Sequence, residues 1–489
     1  MPVRPYSRDQ SWLLPPSLDE LVPEDHSVRF VAAFVDSLDA SVWDELGIRL
    51  EGDPFGAAAY HPRLLMAVWL YGFMSGIRSA RKLERACWEQ LPYMWLANCQ
   101  RPDHNTLWRF YRDNRKPMRK MLKLTVRTAV KVGLVDLALQ ALDGTKVSGN
   151  ATGERSYKAE GLEKLMKRVD AAIADLEAQN STDEERGRCK LPKQLAEMKA
   201  LRKHVEVALA QVMAEEGPSN ANLADADARL MKSRHGFIAG YNAQAVVSPL
   251  REEVAGASGL LITAVGVDNE PSDYAQLVPM IEEAEEATIT GAEVTLADAG
   301  YHSEANLEAV REKGYKVLMP DRQGGKEPGP YHRDRFTYER ATDSYTCPEG
   351  KKLDFTGVTR RQDGRVIRVY HGSREDCLGC PAFGRCTKNK WHGRKLQVGP
   401  HEEVRLQHRE VMASTEAKAL YKLRKELVEP VFGILKEAQG ATRFLLRGLA
   451  NVQAEWALLA TAFNLRTLWR VWRRWWPECR LLLMATQPS

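Results

Sequence analysis

Apolar and polar positions alternate with different periods along the chain, and the period changes mark its organisation. His61-Pro62 opens an apolar segment, Leu64 to Phe73, and an amphipathic stretch follows from Ser79 to Trp95. Arg101-Pro102-Asp103-His104-Asn105-Thr106 breaks that pattern, and a new helix is expected with Asn105 or Asp103 as N-cap. Residues 1–135 therefore read as an all-helical unit of short helices joined by polar turns, compatible with a helix-turn-helix. From Leu137 to Val147 the pattern becomes strand-like around Asp143. Leu162, Leu165, Val169, Ala172 and Leu176, then Met198, Leu201, Val205, Ala208 and Val212, recur at helical spacing and predict an antiparallel helical hairpin inserted within 151–235. Strands are expected at Gly236–Val247, Leu260–Val267, Val294–Asp298 and Tyr315–Met319, with helices at Asp273–Ala287 and Ser303–Lys313. A meander followed by strands alternating with helices predicts an α/β fold, a mixed sheet flanked by helices. Residues 321–400 differ in composition, rich in Arg, Lys, Gly, Asp and Tyr and carrying a cysteine cluster, and 402–475 turn helical again, ending in Trp469, Trp472, Trp475 and Trp476. At helical spacing these tryptophans suit packing against the preceding domain better than stacking on bases.

At 489 residues the chain exceeds one ordinary core. The expected units are 1–135, 136–475 with insertions at 151–235 and 321–400, and a tail at 476–489. The net charge of +5 is compatible with a polyanionic partner but does not require one. Met1 to Trp12 lacks the apolar core of a signal peptide, and no apolar run is long enough to cross a bilayer. The eight cysteines do not form a secreted pattern, so a reducing cytoplasm is expected.

Three carboxylates carry the chemistry. Asp143 in Leu142-Asp143-Gly144-Thr145-Lys146 and Asp298 in Leu296-Ala297-Asp298-Ala299-Gly300-Tyr301 each end a short apolar run before a glycine break, as a carboxylate does at the end of a buried strand. Glu429 lies in the late helical stretch Val428-Glu429-Pro430-Val431-Phe432-Gly433, with Glu426 as the alternative acid. Acids from separate elements can converge on two divalent ions about 4 Å apart for phosphoryl transfer. Either Asp alone would more simply cap the turn that follows it.

Arg109, Arg112, Lys116, Lys120, Lys123, Arg127 and Lys131 form a basic stripe opposite Met118, Met121, Leu122, Val126 and Ala129, which suits either a phosphate-facing surface or an ordinary solvated face. Cys377-x2-Cys380, Cys386 and the upstream Cys347 could give four thiolates to one tetrahedral zinc, remain reduced, or take a redox or iron–sulfur role. Arg333, Arg335, Arg360, Arg361, Arg365, Arg368, Lys388 and Lys390 keep the surrounding segment basic.

Together these motifs resemble the DDE transposases of bacterial insertion sequences. Tyr241-Asn242-Ala243-Gln244, Asn269-Glu270-Pro271-Ser272-Asp273, Arg447-Gly448, Glu455 and Asn464 add to the likeness, as do the N-terminal Ser79–Glu84 and Pro102–Thr106. The family pattern around the Glu would here be Tyr421, Arg424, Glu429 and Lys436, with one extra residue between Arg424 and Glu429. The resemblance implies a ribonuclease-H-like catalytic domain in which Asp143, Asp298 and Glu429 hold two Mg²⁺ ions, with Mn²⁺ able to substitute. It also implies DNA contacts through Lys146, Arg424 and Lys436, recognition of terminal inverted repeats and target DNA, and assembly of at least a homodimer on DNA at the bacterial nucleoid. A metal-dependent nuclease on the same sheet and a transposase-derived DNA-binding regulator remain as alternatives.

Overall fold

In the computed structural model the described residues are 17–51, 59–184, 193–214, 217–233, 236–321, 329–360 and 366–485, with side chains of 180–184 and 476–485 also left aside. Arg361, Arg365 and the side chain of Trp476 therefore lie outside the described residues. The N-terminal stretch folds as α1 (Leu18–Leu21), α2 (Ser27–Asp36), α3 (Ala40–Leu46), α4 (Pro62–Met74), α5 (Ala80–Glu89), α6 (Leu91–Leu96), α7 (His104–Met118) and α8 (Lys120–Lys131). Pro62 sits in the first turn of α4, where a missing N–H costs nothing. Every residue of α4 from Leu65 to Met74 is buried, so this helix runs through the middle of the helical layer. Asp103 caps α7, accepting from the backbone N–H groups of Asn105 (2.8 Å) and Thr106 (3.0 Å).

The strand region begins with β1 (Leu139–Ser148) and the short β2 (Ser156–Tyr157). Next comes the hairpin of α9 (Ala159–Glu184) and α10 (Lys193–Met213), whose base is closed by β3 (Ala221–Asn222) pairing with β2. Its helices are antiparallel: Leu162 packs with Val205 and Ala208, Val169 and Ile173 with Leu195, and Arg202 pairs with Asp170 at 2.7 Å. The chain continues through β4 (Arg229–Ser233), β5 (Gly236–Pro249), α11 (Glu252–Ala255), β6 (Leu260–Asp268), α12 (Leu277–Thr288), β7 (Val294–Ala297), α13 (Glu304–Glu312) and β8 (Val317–Leu318). β5 pairs antiparallel with β1 on one side and with β4 and β6 on the other. β7 joins β1 in parallel, and β8 joins β7 in parallel.

The two faces of this sheet bury different partners, as strand alternation requires. Leu142, Val246 and Ala297 face α12 and α13 through Leu277, Ile281 and Leu307. Ala141, Val147 and Ala245 face a continuous core that includes residues of α4, α16 (Thr415–Gly433) and α17 (Leu449–Ala485). The expected N-terminal helices thus share one core with the sheet.

Between the sheet and those late helices, the basic, cysteine-bearing segment forms a sheet of its own. β9 (Thr337–Glu339), β10 (Ser344–Thr346), β11 (Lys352–Arg360), β12 (Val366–Gly372) and β13 (Lys395–Val398) form a five-stranded antiparallel sheet, and α14 (Arg374–Leu378) lies in the β12–β13 connection. β9, β10 and β13 are only three or four residues long and the longer β11 is mostly exposed, which hides the sheet from a periodicity search. α15 (Glu402–Ala413) then leads into α16. Trp469 and Trp472 pack on the N-terminal helices: the Trp469 indole N–H donates to the Asp25 carbonyl (2.9 Å), and Trp472 lies 5.7 Å from the Phe30 ring. Among the described residues no helix is long and apolar enough to cross a membrane.

Candidate active site

Asp143 is not at the end of its strand, because β1 runs five residues past it to Ser148. What ends there is the parallel pairing. β7 stops at Ala297, level with Leu142, so Asp143 and Asp298 occupy the next positions on neighbouring parallel strands. Burial pushes the Asp143 carboxyl up; Arg424 pulls it back down, and the nearby Asp298 raises it. Both Asp also accept from the backbone that follows them: Asp143 Oδ1 from Gly144 N within β1 (2.9 Å), and Asp298 Oδ1 from Gly300 N in a turn (2.7 Å). This local role and the site role are therefore compatible in the same side chains.

The glycines beside these acids make room for a third aspartate that sequence patterns did not single out as a site residue. A Cβ on Gly144 would lie 2.8 Å from Asp273 Oδ1, and one on Gly300 would lie 3.0 Å from Asp273 Oδ2 and 2.8 Å from Asp298 Oδ1. Asp273 Oδ1 accepts from Lys146 Nζ (3.2 Å), Asn242 Nδ2 (2.6 Å) and Gln244 Nε2 (2.9 Å). Lys146 thus lies on the strand face opposite Asp143, since β1 makes no turn at Gly144. Tyr301, fully buried, donates to Gln244 Oε1 and is a packing residue. Tyr241–Gln244 and Asn269–Asp273 were the signals available in the sequence, because both segments meet here.

α16 crosses the other face. Arg424 Nη1 lies 2.9 Å from Asp143 Oδ2 with its side chain 12% exposed, so it neutralises the aspartates from within and is not offered to solvent. The Tyr421 ring flanks the same guanidinium at 5.9 Å. Lys436 Nζ donates to Thr145 Oγ1 (2.5 Å), also on the Asp143 face of β1. Glu429 lies between Arg424 and Lys436 along the chain but is exposed. Seven residues apart, Glu429 and Lys436 would share one face of a continuous α-helix. The helix instead carries Pro430 in its interior and gives way to a π-turn at Ile434–Ala438, which rotates Lys436 out of the seven-residue register.

The pair Asp143–Asp298 suits a hard divalent cation: two oxygen donors on adjacent strands, mutually repulsive, with a guanidinium already at one of them. Among the described residues no group of three His, Cys, Asp or Glu side chains stands in ligating geometry, so Glu429 is not joined to the pair in this arrangement.

Comparison with known families assigns the two ends of the chain. Residues 346–469 match a transposase DDE domain, and residues 16–113 match a second transposase domain, of the DUF772 type. Both matches indicate a DDE-type transposase of an insertion sequence. No curated protein matches the chain. The first match takes in β11 to β13 of the small sheet, Arg424, Glu429, Lys436, Glu455 and Asn464; the second takes in α1 to most of α7.

The chain spends much of its basic stripe on contacts within itself. Lys123 pairs with Glu286 on α12, Lys120 Nζ donates to the Glu45 carbonyl (2.7 Å), and Arg112 pairs with its neighbour Asp113 (2.7 Å). Arg109, Lys116, Arg127 and Lys131 are exposed. The stripe's second half therefore serves as a seam between α8 and α12 as well as a surface.

The four clustered cysteines, all free thiols, line a single cavity at one end of the small sheet. Burial pushes the Cys386 thiol up, Arg394 pulls it down, and the three other thiols raise it.

His302, just past Asp298, is pushed down to about 4 from 6.5 by burial first, then by His408, whose ring lies 6.1 Å away. The unfolded chain takes up this proton near pH 6.5 and the folded chain only near pH 4. The associated stability is present above pH 6.5 and is lost as pH falls towards 4, by at most about 3 kcal/mol. His302→Gln is expected to shrink the loss seen between pH 7 and 4.5 in urea unfolding. An equal loss in both proteins would contradict this account.

Proposed function

We propose that this transposase binds the terminal inverted repeats of its element and catalyses metal-dependent cleavage and strand transfer at Asp143 and Asp298. The observation that carries this reading is the placement of the two acids side by side where the parallel β1–β7 pairing ends, under Arg424. The strand order, with a three-strand antiparallel meander extended by two parallel strands next to β1, supports a ribonuclease-H-like catalytic domain.

In this reading Asp143 and Asp298 hold Mg²⁺ or Mn²⁺, which when bound activates the attacking oxygen and stabilises the leaving one. The chain's own residues set the site up. Gly144 N and Arg424 orient Asp143, and Gly300 N orients Asp298. Asp273, gripped by Lys146, Asn242 and Gln244, packs against Gly144 and Gly300, the glycines beside the two acids. Lys436 and Lys146 place positive charge on opposite faces of β1 for the DNA backbone. Glu429 joins as the third acid when the end of α16 re-packs on DNA, with Pro430 and the π-turn as the yielding points.

The test is a joining assay with purified protein, a DNA end bearing the element's terminal repeat, target DNA and Mg²⁺. Joined product is expected. Cleavage without joining would favour a nuclease, and binding without either would favour a DNA-binding regulator; both would overturn the proposal.

A further inference from the structure

We propose that Cys347, Cys377, Cys380 and Cys386 form a structural zinc site that holds together the small sheet inserted before α15. The four thiols come from three separate stretches, and all line one cavity of about 30 Å³. That is room for an ion or a water or two, not for an organic ligand.

The surrounding backbone is arranged to receive charged sulfurs. Lys351 N donates to Cys347 Sγ (3.3 Å), Ala382 N to Cys380 Sγ (3.4 Å) and Arg394 N to Cys377 Sγ (3.3 Å). Such N–H···S bonds spread the negative charge that four thiolates place on one ion. Cys347 begins a tight turn closed by Gly350 N to the Cys347 carbonyl (2.8 Å), with Gly350 at φ +74°. Gly372 and Gly393 flank Cys377, where a Cβ on either would lie 3.1 Å from its sulfur. Gly393 also has φ +65°, so its backbone is one that a side chain would strain.

The energetic case comes from the core. Among the described residues the core cluster of this sheet is small, formed by Phe336, Tyr345, Leu353, Tyr370, Leu396 and Val398, with Cys347 and Cys386 packed at its edge. The connection from Ser373 to Arg394 carries one five-residue helix and no strand, yet it closes over the sheet. A core this small ordinarily needs a metal or a covalent staple, and the thiols are not paired as disulfides. Among the described residues no three of them already stand in ligating geometry, so binding draws the sulfurs inward from the cavity walls. The tetrahedral, thiolate-rich preference of Zn²⁺ matches this donor set, whereas Mg²⁺ prefers the oxygens of the Asp143 site.

The full-length protein, purified reduced and without chelator, is expected to carry about one zinc per chain by mass spectrometry of the metal. Exchange for Co²⁺ should give the intense visible and near-ultraviolet bands of thiolate coordination, which oxygen ligation at the aspartates does not produce. Cys377→Ser with Cys386→Ser should lose at least about fivefold of the zinc and abolish those bands, while Asp298→Asn keeps both. If the double variant fails to fold, the wild-type measurements still decide. Zinc-free protein with all four thiols open to a thiol reagent would overturn the proposal. So would an iron–sulfur chromophore, disulfides among the four, or a Co²⁺ spectrum without thiolate bands.

Discussion

Asp298→Asn is expected to lower strand joining by more than about 100-fold without lowering the unfolding midpoint. The size exceeds the 10- to 100-fold loss typical of removing a mere supporting partner of a metal ligand. The lack of destabilisation follows from the same geometry. Asp143 is largely buried, and the nearby Asp298 disfavours its charge. Neutralising Asp298 relieves that repulsion and leaves the Asp143–Arg424 pair intact. Asp143→Asn should abolish joining equally but behave differently in stability, because it strands the largely buried Arg424 guanidinium. Activity measured by joined product, and folding by thermal denaturation, separate the two effects. Joining by Asp298→Asn within about tenfold of wild type would remove Asp298 from the proposed site, and a fall in its midpoint would show that its role is structural.

Some of this site was legible in the residues. A strand pattern ending in Asp-Gly and Ala-Asp-Ala-Gly located both aspartates, because alternation and a glycine break are local properties of the chain. The hairpin of α9 and α10 was equally legible, since its apolar positions repeat over several turns. The partners of the aspartates were not, because they depend on which strand face meets which helix. Lys146 and Lys436 turn out on opposite faces of β1, and Asp273 reaches the site only because Gly144 and Gly300 leave space for it. The orientation of Glu429 depends on a π-turn, and no residue spacing announces one. The small sheet escaped notice for a different reason: its strands carry few buried positions, so its order comes from pairing and the cysteine end.

Glu455→Ala is expected to cost about 3–5 kcal/mol, the range for stranding one member of a buried ion pair. Arg78 Nη1 lies 2.9 Å from Glu455 Oε1, with side chains 8% and 2% exposed. The pair ties the loop before α5 to α17, and each partner has further obligations. Arg78 also donates to the carbonyls of Gly440 and Arg443, and the Glu455 carboxylate accepts from Leu445 N and Leu446 N at 3.0 Å. An isolated buried pair can often be replaced by two apolar residues with little loss. Here the double change Arg78→Met with Glu455→Leu would leave those backbone groups unpaired, so it should recover little stability relative to Glu455→Ala. The consequences reach the site. The 440–446 segment connects Lys436 to α17 and docks on the end of β1, where Phe444 N donates to the Ser148 carbonyl (2.9 Å). Loosening it should weaken the positioning of Lys436 over Thr145, so joining by Glu455→Ala should fall even at temperatures where the variant remains folded. Urea unfolding of both variants tests the energetic claim, and a double variant close to wild-type stability would show that the ion pair acts alone.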